Sequence, residues 1–170
     1  MAQSRYFFAI TVNPSHHQQL LTLQQKWLTY LVTEDLAHHH VRLIPPENFH
    51  LTLHFLGPQT TYELQQAKEL AREINVNTFI VQSDGLGYFA KAKTGYLSIQ
   101  CCKSLYLLAQ QLGNCEPYIP HVSLIRKLTQ AALPNVKLPL LSWQVNGFDL
   151  YCSVGNGALY QRIEHFSLGN

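Results

Sequence analysis

Long apolar runs and strong charge are both missing from this sequence of 170 residues. No apolar stretch approaches the ~20 residues of a membrane-spanning helix, so no membrane association is expected. Charged residues make up only 13% of the chain and the net charge is +2. The protein as a whole therefore lacks the strong positive field that attracts long nucleic acid. A small anionic ligand would therefore need a local cluster of basic residues.

The spacing of the cysteines limits which metal sites they could form. The four cysteines include no Cys-x-x-Cys pair, and the adjacent Cys101 and Cys102 lack the spacing of the usual zinc motifs. We interpret all four as reduced thiols that fill small apolar positions. The first residues also lack the long apolar core and cleavage site of a secretory signal, so a cytoplasmic location is expected.

The remaining sequence alternates strand and helix patterns. The helices are predicted from a cap at Asn13 to Val32, from a Thr60–Glu63 capping box to Ile74, and over 103–112. The predicted strands cover 5–12, 41–44, 49–56, 79–81, 87–89, 95–100, 121–126, 142–152 and 158–166. Strands this close together favour an α+β fold with antiparallel pairs, and we expect one bilobal domain over residues 1–170.

Two short segments repeat one pattern. His50-Leu51-Thr52-Leu53 and His121-Val122-Ser123-Leu124 both read His-x-(Thr/Ser)-Leu, and each lies on a predicted strand in its own half of the chain. Because side chains alternate along a strand, each histidine shares a face with its hydroxyl neighbour while the apolar residues face a core. Two such strands side by side would form a pocket with two imidazoles and two hydroxyls.

This set of groups suits reactions at a phosphate without a metal. In-line attack at phosphorus needs a base for the incoming oxygen and an acid for the leaving oxygen, and histidine serves both because its pKa is near neutrality. Thr52 and Ser123 can donate to the non-bridging oxygens, and Arg126 can add a forked donor. One copy of the pattern is more often an ordinary amphipathic strand, but two copies with a preceding proline favour a functional site.

The flanking segments strengthen this interpretation. Arg5–Ile10, Asn48–Gly57, Pro120–Arg126 and Phe148–Tyr151 resemble, in order, the 2H phosphoesterase superfamily and especially its LigT-like RNA 2′,3′-cyclic phosphodiesterases, also called 2′-5′ RNA ligases. The resemblance implies two antiparallel sheets with helices outside, related by a pseudo-two-fold axis, and an active site in the central cleft. It also implies metal-free hydrolysis of a 2′,3′-cyclic phosphate to a 2′-phosphate, with reversible 2′-5′ ligation as a side activity.

The same resemblance implies residue roles. His50 and His121 are the acid–base pair, Thr52 and Ser123 hold the phosphate, and Arg126 matches an arginine that often follows the second motif. Ser123 replaces the commoner threonine and keeps the hydroxyl. We assign His50 as the donor to the leaving 3′ oxygen and His121 as the acceptor from water, although the sequence does not distinguish this from the reverse.

Other residues are candidates for substrate contacts. Phe7 and Tyr151 lie in the matching segments and could stack on a base, and His54 would share a face with His50 and Thr52 if its strand is regular. The expected partner is an RNA end or nucleotide with a 2′,3′-cyclic phosphate.

Three alternatives stay open at this stage. The chain could be a non-catalytic module that binds RNA ends, or it could act on another cyclic or 2′-5′-linked nucleotide. It could also be a metal hydrolase using the run His38–His40, which we instead interpret as a solvated loop. We expect no metal, no cofactor and a monomeric protein.

Overall fold

The described residues form a nine-stranded sheet, three α-helices and two short 3-10 helices. The structure is a computed structural model that describes residues 4–36, 40–115, 117–155 and 158–169. The strands are β1 (Arg5–Thr11), β2 (Arg42–Leu43), β3 (His50–Gly57), β4 (Phe79–Phe89), β5 (Thr94–Ile99), β6 (His121–Arg126), β7 (Ser142–Val145), β8 (Gly147–Ser153) and β9 (Gln161–Ser167). The helices are α1 (His17–Thr33), α2 (Thr61–Arg72) and α3 (Lys103–Gln111).

The helix starts follow the predicted capping signals. The Asn13 side chain accepts a hydrogen bond from the Ser15 amide at 3.0 Å, and a short 3-10 turn from Pro14 leads into α1. At α2, the Thr60 hydroxyl accepts from the Glu63 amide while the Glu63 carboxylate accepts from the Thr60 amide. The predicted capping box is therefore confirmed.

The strands lie in the order β7-β4-β5-β6-β3-β1-β8-β9, with β2 paired to β6. Every pairing between these strands is antiparallel. One half of the sheet is β3-β1-β8-β9 and the other is β7-β4-β5-β6, and β3 meets β6 through the pair Leu51 and Val122. The predicted α+β class with antiparallel pairing is confirmed, and the two expected sheets are joined at this pair.

Two strand predictions were wrong. Residues 79–89 form one strand, because the turn-like Ser83-Asp84-Gly85 lies at a register shift that the ladder with β5 absorbs. The Ser83 hydroxyl donates to the Pro139 carbonyl and accepts from the Leu141 amide, which binds it to the following connection. Conversely, the predicted strand 142–152 divides at Asn146 into β7 and β8, which pair in different halves of the sheet.

The core lies on the opposite side of the motif strands from their histidines. Leu51, Leu53 and Leu124 are completely buried and Val122 nearly so, whereas the intervening histidines and hydroxyl residues are partly accessible. This confirms the expected sidedness of both repeats. Within the described ranges, no helix has the length and apolarity that crossing a bilayer requires.

The cysteines are free thiols. Cys152 is buried, as expected for a small apolar residue, but Cys101 and Cys115 are exposed. The expectation of buried thiols was therefore wrong for these two, because both lie at the ends of the α3 segment rather than within the strands that build the core.

Candidate active site

The two repeats meet where the halves of the sheet join. His50 begins β3 and is followed by Leu51, and His121 begins β6 and is followed by Val122. Leu51 and Val122 pair with each other across the two strands. Antiparallel pairing at that point places His50 beside Ser123 and Thr52 beside His121 on the face away from the core. The pairing register thus brings the four predicted motif residues together.

The His50 imidazole is held in one orientation. Its Nδ1 lies 2.7 Å from the Asn48 carbonyl oxygen, so Nδ1–H donates to that acceptor. Its Nε2 lies 3.1 Å from the Thr52 Oγ1 and accepts from the hydroxyl when the ring is neutral. The rings of Phe7 and Tyr160 pack against the imidazole at centroid distances of 5.0 and 5.1 Å.

His121 is held in the same way. Its Nδ1–H donates to the Ile119 carbonyl at 2.8 Å, again the residue two positions earlier. Two aromatic rings again flank the imidazole, Phe89 at 4.8 Å and Tyr96 at 5.2 Å. Because each Nδ1 is bound to main chain, Nε2 is the ring nitrogen of each histidine that can meet a substrate, and in His50 it is hydrogen-bonded to Thr52.

Burial controls the charge of both imidazoles. It lowers the pKa of His50 to about 4, against the raising effect of the Asn48 carbonyl, and His121 and the Arg126 charge lower it further. Burial likewise lowers the pKa of His121, with the Ile119 carbonyl opposing it and Arg126 adding to it. Both rings are therefore mainly neutral near pH 7 in the ligand-free protein.

Two cavities adjoin the histidines and share Thr52 as a wall. The first has a volume of about 250 Å³ and includes His50 and Arg126 in its lining. The second has a volume of about 230 Å³ and lies beside His121. Both cavities are lined by residues of β3 and β6, the two strands whose pairing joins the half-sheets.

The first cavity is strongly basic. Arg5, Arg42 and Arg126 line it, and its described lining includes no carboxylate. Arg42 and Arg126 are opposite one another on paired strands, and the Nε of Arg126 is buried with no hydrogen-bond partner among the described residues. Unpaired guanidinium groups in a concave site are suited to binding a phosphate.

The residues predicted to contact a base are arranged differently from expectation. Phe7 lines the first cavity but is only 4% exposed, because it packs against His50, Tyr151 and Tyr160. It supports the imidazole and offers little surface for stacking. Tyr151 lines neither cavity, and its hydroxyl instead lies 2.6 Å from the Thr11 hydroxyl.

The condition under which His54 was expected to share a face with His50 and Thr52, a regular strand, is not met. A register shift lets Ala9 pair with Thr52 and Phe8 with His54, so Leu53 is an extra residue and the alternation is reset. His54 consequently lines the second cavity near Asn114. Phe55 pairs with Phe7, lines the first cavity and is 57% exposed.

Sequence reasoning also missed the residues that support the site. Asn48 orients His50 through its carbonyl, and its buried side chain donates to the Ala158 carbonyl and accepts from the Tyr160 amide. A polar residue just before the first motif was the available signal for Asn48. For Arg42 and Tyr160 no local signal existed, because only the tertiary fold brings them to the cavity.

The metal alternative involves residues at positions 38–40. His38 and His39 lie outside the described residues, and His40 is exposed in a turn. Among the residues that the structure does describe, no group of three or more histidine, cysteine, aspartate or glutamate side chains could hold a metal ion.

Comparison with known proteins places this site in a family. Residues 12–96, which include the first motif, match the family model of LigT-like phosphoesterases. The RNA 2′,3′-cyclic phosphodiesterase of Thermus thermophilus is 31% identical over 151 residues, covering 74% of each chain. The Escherichia coli protein of the same name is 27% identical over 143 residues, covering 72% of this chain and 80% of its own.

The likeness extends to the whole fold. The crystal structure of E. coli LigT complexed with phosphate superposes with a TM-score of 0.80 and 25% identity, over 100% of both chains. Fold and sequence therefore confirm the predicted class, a 2H phosphoesterase. Within it, the chain belongs to the LigT-like phosphoesterase family.

Proposed function

We propose that this protein hydrolyses 2′,3′-cyclic phosphates at the ends of RNA or on nucleosides, leaving a 2′-phosphate. The observation that supports this most is the matched pair of imidazoles, each fixed through Nδ1 and each lining one of two cavities that share Thr52, of which the cavity at His50 is basic. The two relatives named RNA 2′,3′-cyclic phosphodiesterases point to the same chemistry.

The proposed reaction is one in-line displacement. Water attacks phosphorus, the bond from phosphorus to the 3′ oxygen breaks, and the 2′ oxygen keeps the phosphate. His121 Nε2 takes a proton from the attacking water, and His50 Nε2 gives one to the leaving 3′ oxygen. After the reaction His121 carries one proton more and His50 one proton fewer than before. Proton exchange with solvent then restores both rings to their starting states.

The remaining motif residues act on the phosphate. Thr52 and Ser123 lie beside the opposite histidines, where their hydroxyls can donate to the non-bridging oxygens. Arg126 brings a positive charge close enough to lower the pKa of both imidazoles. The same charge would stabilise the extra negative charge that the non-bridging oxygens carry in the transition state.

The donor role requires His50 to be charged when substrate is bound. Its pKa of about 4 in the empty protein results mainly from burial. A bound phosphodiester places a negative charge beside the ring and favours the imidazolium, so the substrate itself would supply the charge state that catalysis needs. Phe55 is the exposed aromatic residue positioned to contact the base.

Replacing water by the 5′-hydroxyl of a second RNA would give a 2′-5′ linkage through the same displacement. We include this ligation in the proposal as a side reaction of the same site. RNA ends are accordingly the proposed partners, and the monomeric state expected from the sequence stays a prediction.

The test separates an enzyme from a binding module. Purified protein is incubated with nucleoside 2′,3′-cyclic phosphates, 3′,5′-cyclic phosphates and 2′-5′-linked dinucleotides, and both product and binding are measured. The proposal predicts turnover of the 2′,3′-cyclic compounds. Binding without any hydrolysis would support the non-catalytic module, and preferential cleavage of another panel member would change the substrate class.

A further inference from the structure

The first cavity contains more positive charge than one cyclic phosphate requires. A 2′,3′-cyclic phosphodiester carries a single negative charge, whereas Arg5, Arg42 and Arg126 all line the cavity. None of the three forms an ion pair within the part of the chain that the structure describes. Three unpaired guanidinium groups in one cavity repel one another unless more than one anion lies among them.

The three arginines fall into two groups. The Arg126 charge contributes to the lowered pKa of both histidines, so it lies near the reacting phosphate. Arg42 lies opposite Arg126 on the paired strands β2 and β6, and Arg5 lies on β1, so two further arginines line the same cavity besides the one assigned to the reacting phosphate. Arg5 begins β1 at its exposed end and pairs with Ser153, which also lines the cavity, so this side of the cavity lies away from His121.

We propose that Arg5 and Arg42 form a second anion subsite for the phosphate on the 5′ oxygen of the terminal nucleoside. This inference rests on the proposed function, because the first subsite must hold the cyclic phosphate. In an RNA chain every terminal nucleoside with a 2′,3′-cyclic phosphate also carries a 5′ phosphate. The subsite would thus make the enzyme select RNA ends over free nucleosides.

The experiment compares three substrates with the same base: a nucleoside 2′,3′-cyclic phosphate, its 5′-phosphorylated form, and a dinucleotide that ends in the cyclic phosphate. Charge-assisted contacts predict that wild-type protein has a kcat/KM at least about 10-fold higher for the two substrates with a 5′ phosphate. Comparison of these two distinguishes a free 5′ phosphate from a phosphodiester as the recognised group.

Arg5→Gln and Arg42→Gln should each reduce this preference about five-fold or more, mainly through KM, because the contact is the same in ground and transition states. Turnover of the nucleoside 2′,3′-cyclic phosphate should fall less than turnover of the two substrates with a 5′ phosphate, since that substrate lacks the second phosphate. Arg5→Lys and Arg42→Lys should retain part of the preference through their charge.

Arg72→Gln is the matched control. It removes the same charge from α2, where Arg72 pairs with Glu164 outside the cavity. The preference should be unchanged in this variant.

Three results would overturn the subsite: no preference in wild-type protein, the preference retained in both glutamine variants, or equal loss for all substrates. If none of the substrates is hydrolysed, the proposed function is wrong. The subsite is then decided by calorimetry, where tighter binding of the 5′-phosphorylated compound, lost in Arg42→Gln, supports it and equal binding contradicts it.

Discussion

Leu51 on β3 pairs directly with Val122 on β6, and this pair joins the two halves of the sheet. Both side chains are buried, at 0% and 1% exposure, and their neighbours on the opposite face are the two histidines and their hydroxyl partners. The separation of the imidazoles is therefore set by the packing of these two apolar residues beneath them.

Truncating this contact should damage both stability and activity. Leu51→Ala removes a fully buried side chain and is expected to lower the free energy of unfolding by about 2–5 kcal/mol, measured by urea denaturation. It should also lower kcat of the folded protein, because the histidines move relative to each other. Leu140→Ala, at a residue that is 71% exposed, should change neither quantity; equal effects in both variants would contradict this role for the pair.

Each histidine is expected to be essential for turnover. His50→Ala and His121→Ala should each lower kcat by about 100-fold or more, on the scale typical of acid–base groups, in an assay of cyclic-phosphate hydrolysis. Circular dichroism checks that each variant folds. His40→Ala, which changes an exposed histidine in a turn, should retain normal turnover. Near-normal kcat in either motif variant would exclude the two-histidine mechanism.

The charge state of His50 should depend on the anion. The folded protein holds its pKa at about 4, compared with an ordinary value of 6.5. As pH falls between these values the unfolded chain takes up the proton first, so the free energy of unfolding should decrease over this range, by at most about 3 kcal/mol from this group.

Inorganic phosphate should reverse the shift. NMR titration of the imidazole signals is expected to show the pKa of His50 rising by about one unit or more when phosphate is bound, because the anion stabilises the imidazolium. The signal is assigned with the His50→Ala variant. If phosphate binds but this pKa does not rise, His50 cannot be the proton donor, and the assignment of the two roles should be reversed.

Asn48 should position His50 through the segment at 158–160. Asn48→Asp keeps an acceptor for the Tyr160 amide but loses the donor to Ala158 and buries a charge. We expect a loss of about 1–3 kcal/mol in the free energy of unfolding and a lower kcat, with the pH–rate profile displaced. Asn135→Asp, at an exposed position, is the control, and an unchanged pH–rate profile for Asn48→Asp would argue for a purely structural role.

Local patterns in the sequence were sufficient for part of this fold. The capping box at Thr60 and the alternation around Leu51 depend on near neighbours, and the structure bears them out. The pairing of the two repeats joins distant parts of the chain and was indicated by their similarity to each other. The turn signal at 83–85 and the continuous pattern at 142–152 were misleading, since a bulge and a change of partner strand are decided by the rest of the sheet.

The site was predictable only in part for the same reason. His50, Thr52, His121 and Ser123 could be chosen because they repeat. The bulge at Leu53, which leaves Phe55 at the first cavity and His54 at the second, depends on pairing with β1 and leaves no trace in the local sequence. Arg5 and Arg42 are isolated arginines until tertiary structure brings them to one cavity.

The most direct test of metal-free hydrolysis is ³¹P NMR of the product formed from a nucleoside 2′,3′-cyclic phosphate. Protein treated with EDTA and then assayed in its presence should convert the cyclic signal to that of the 2′-phosphate at the untreated rate. Loss of activity in EDTA that added metal restores, or formation of the 3′-phosphate, would contradict the proposed mechanism.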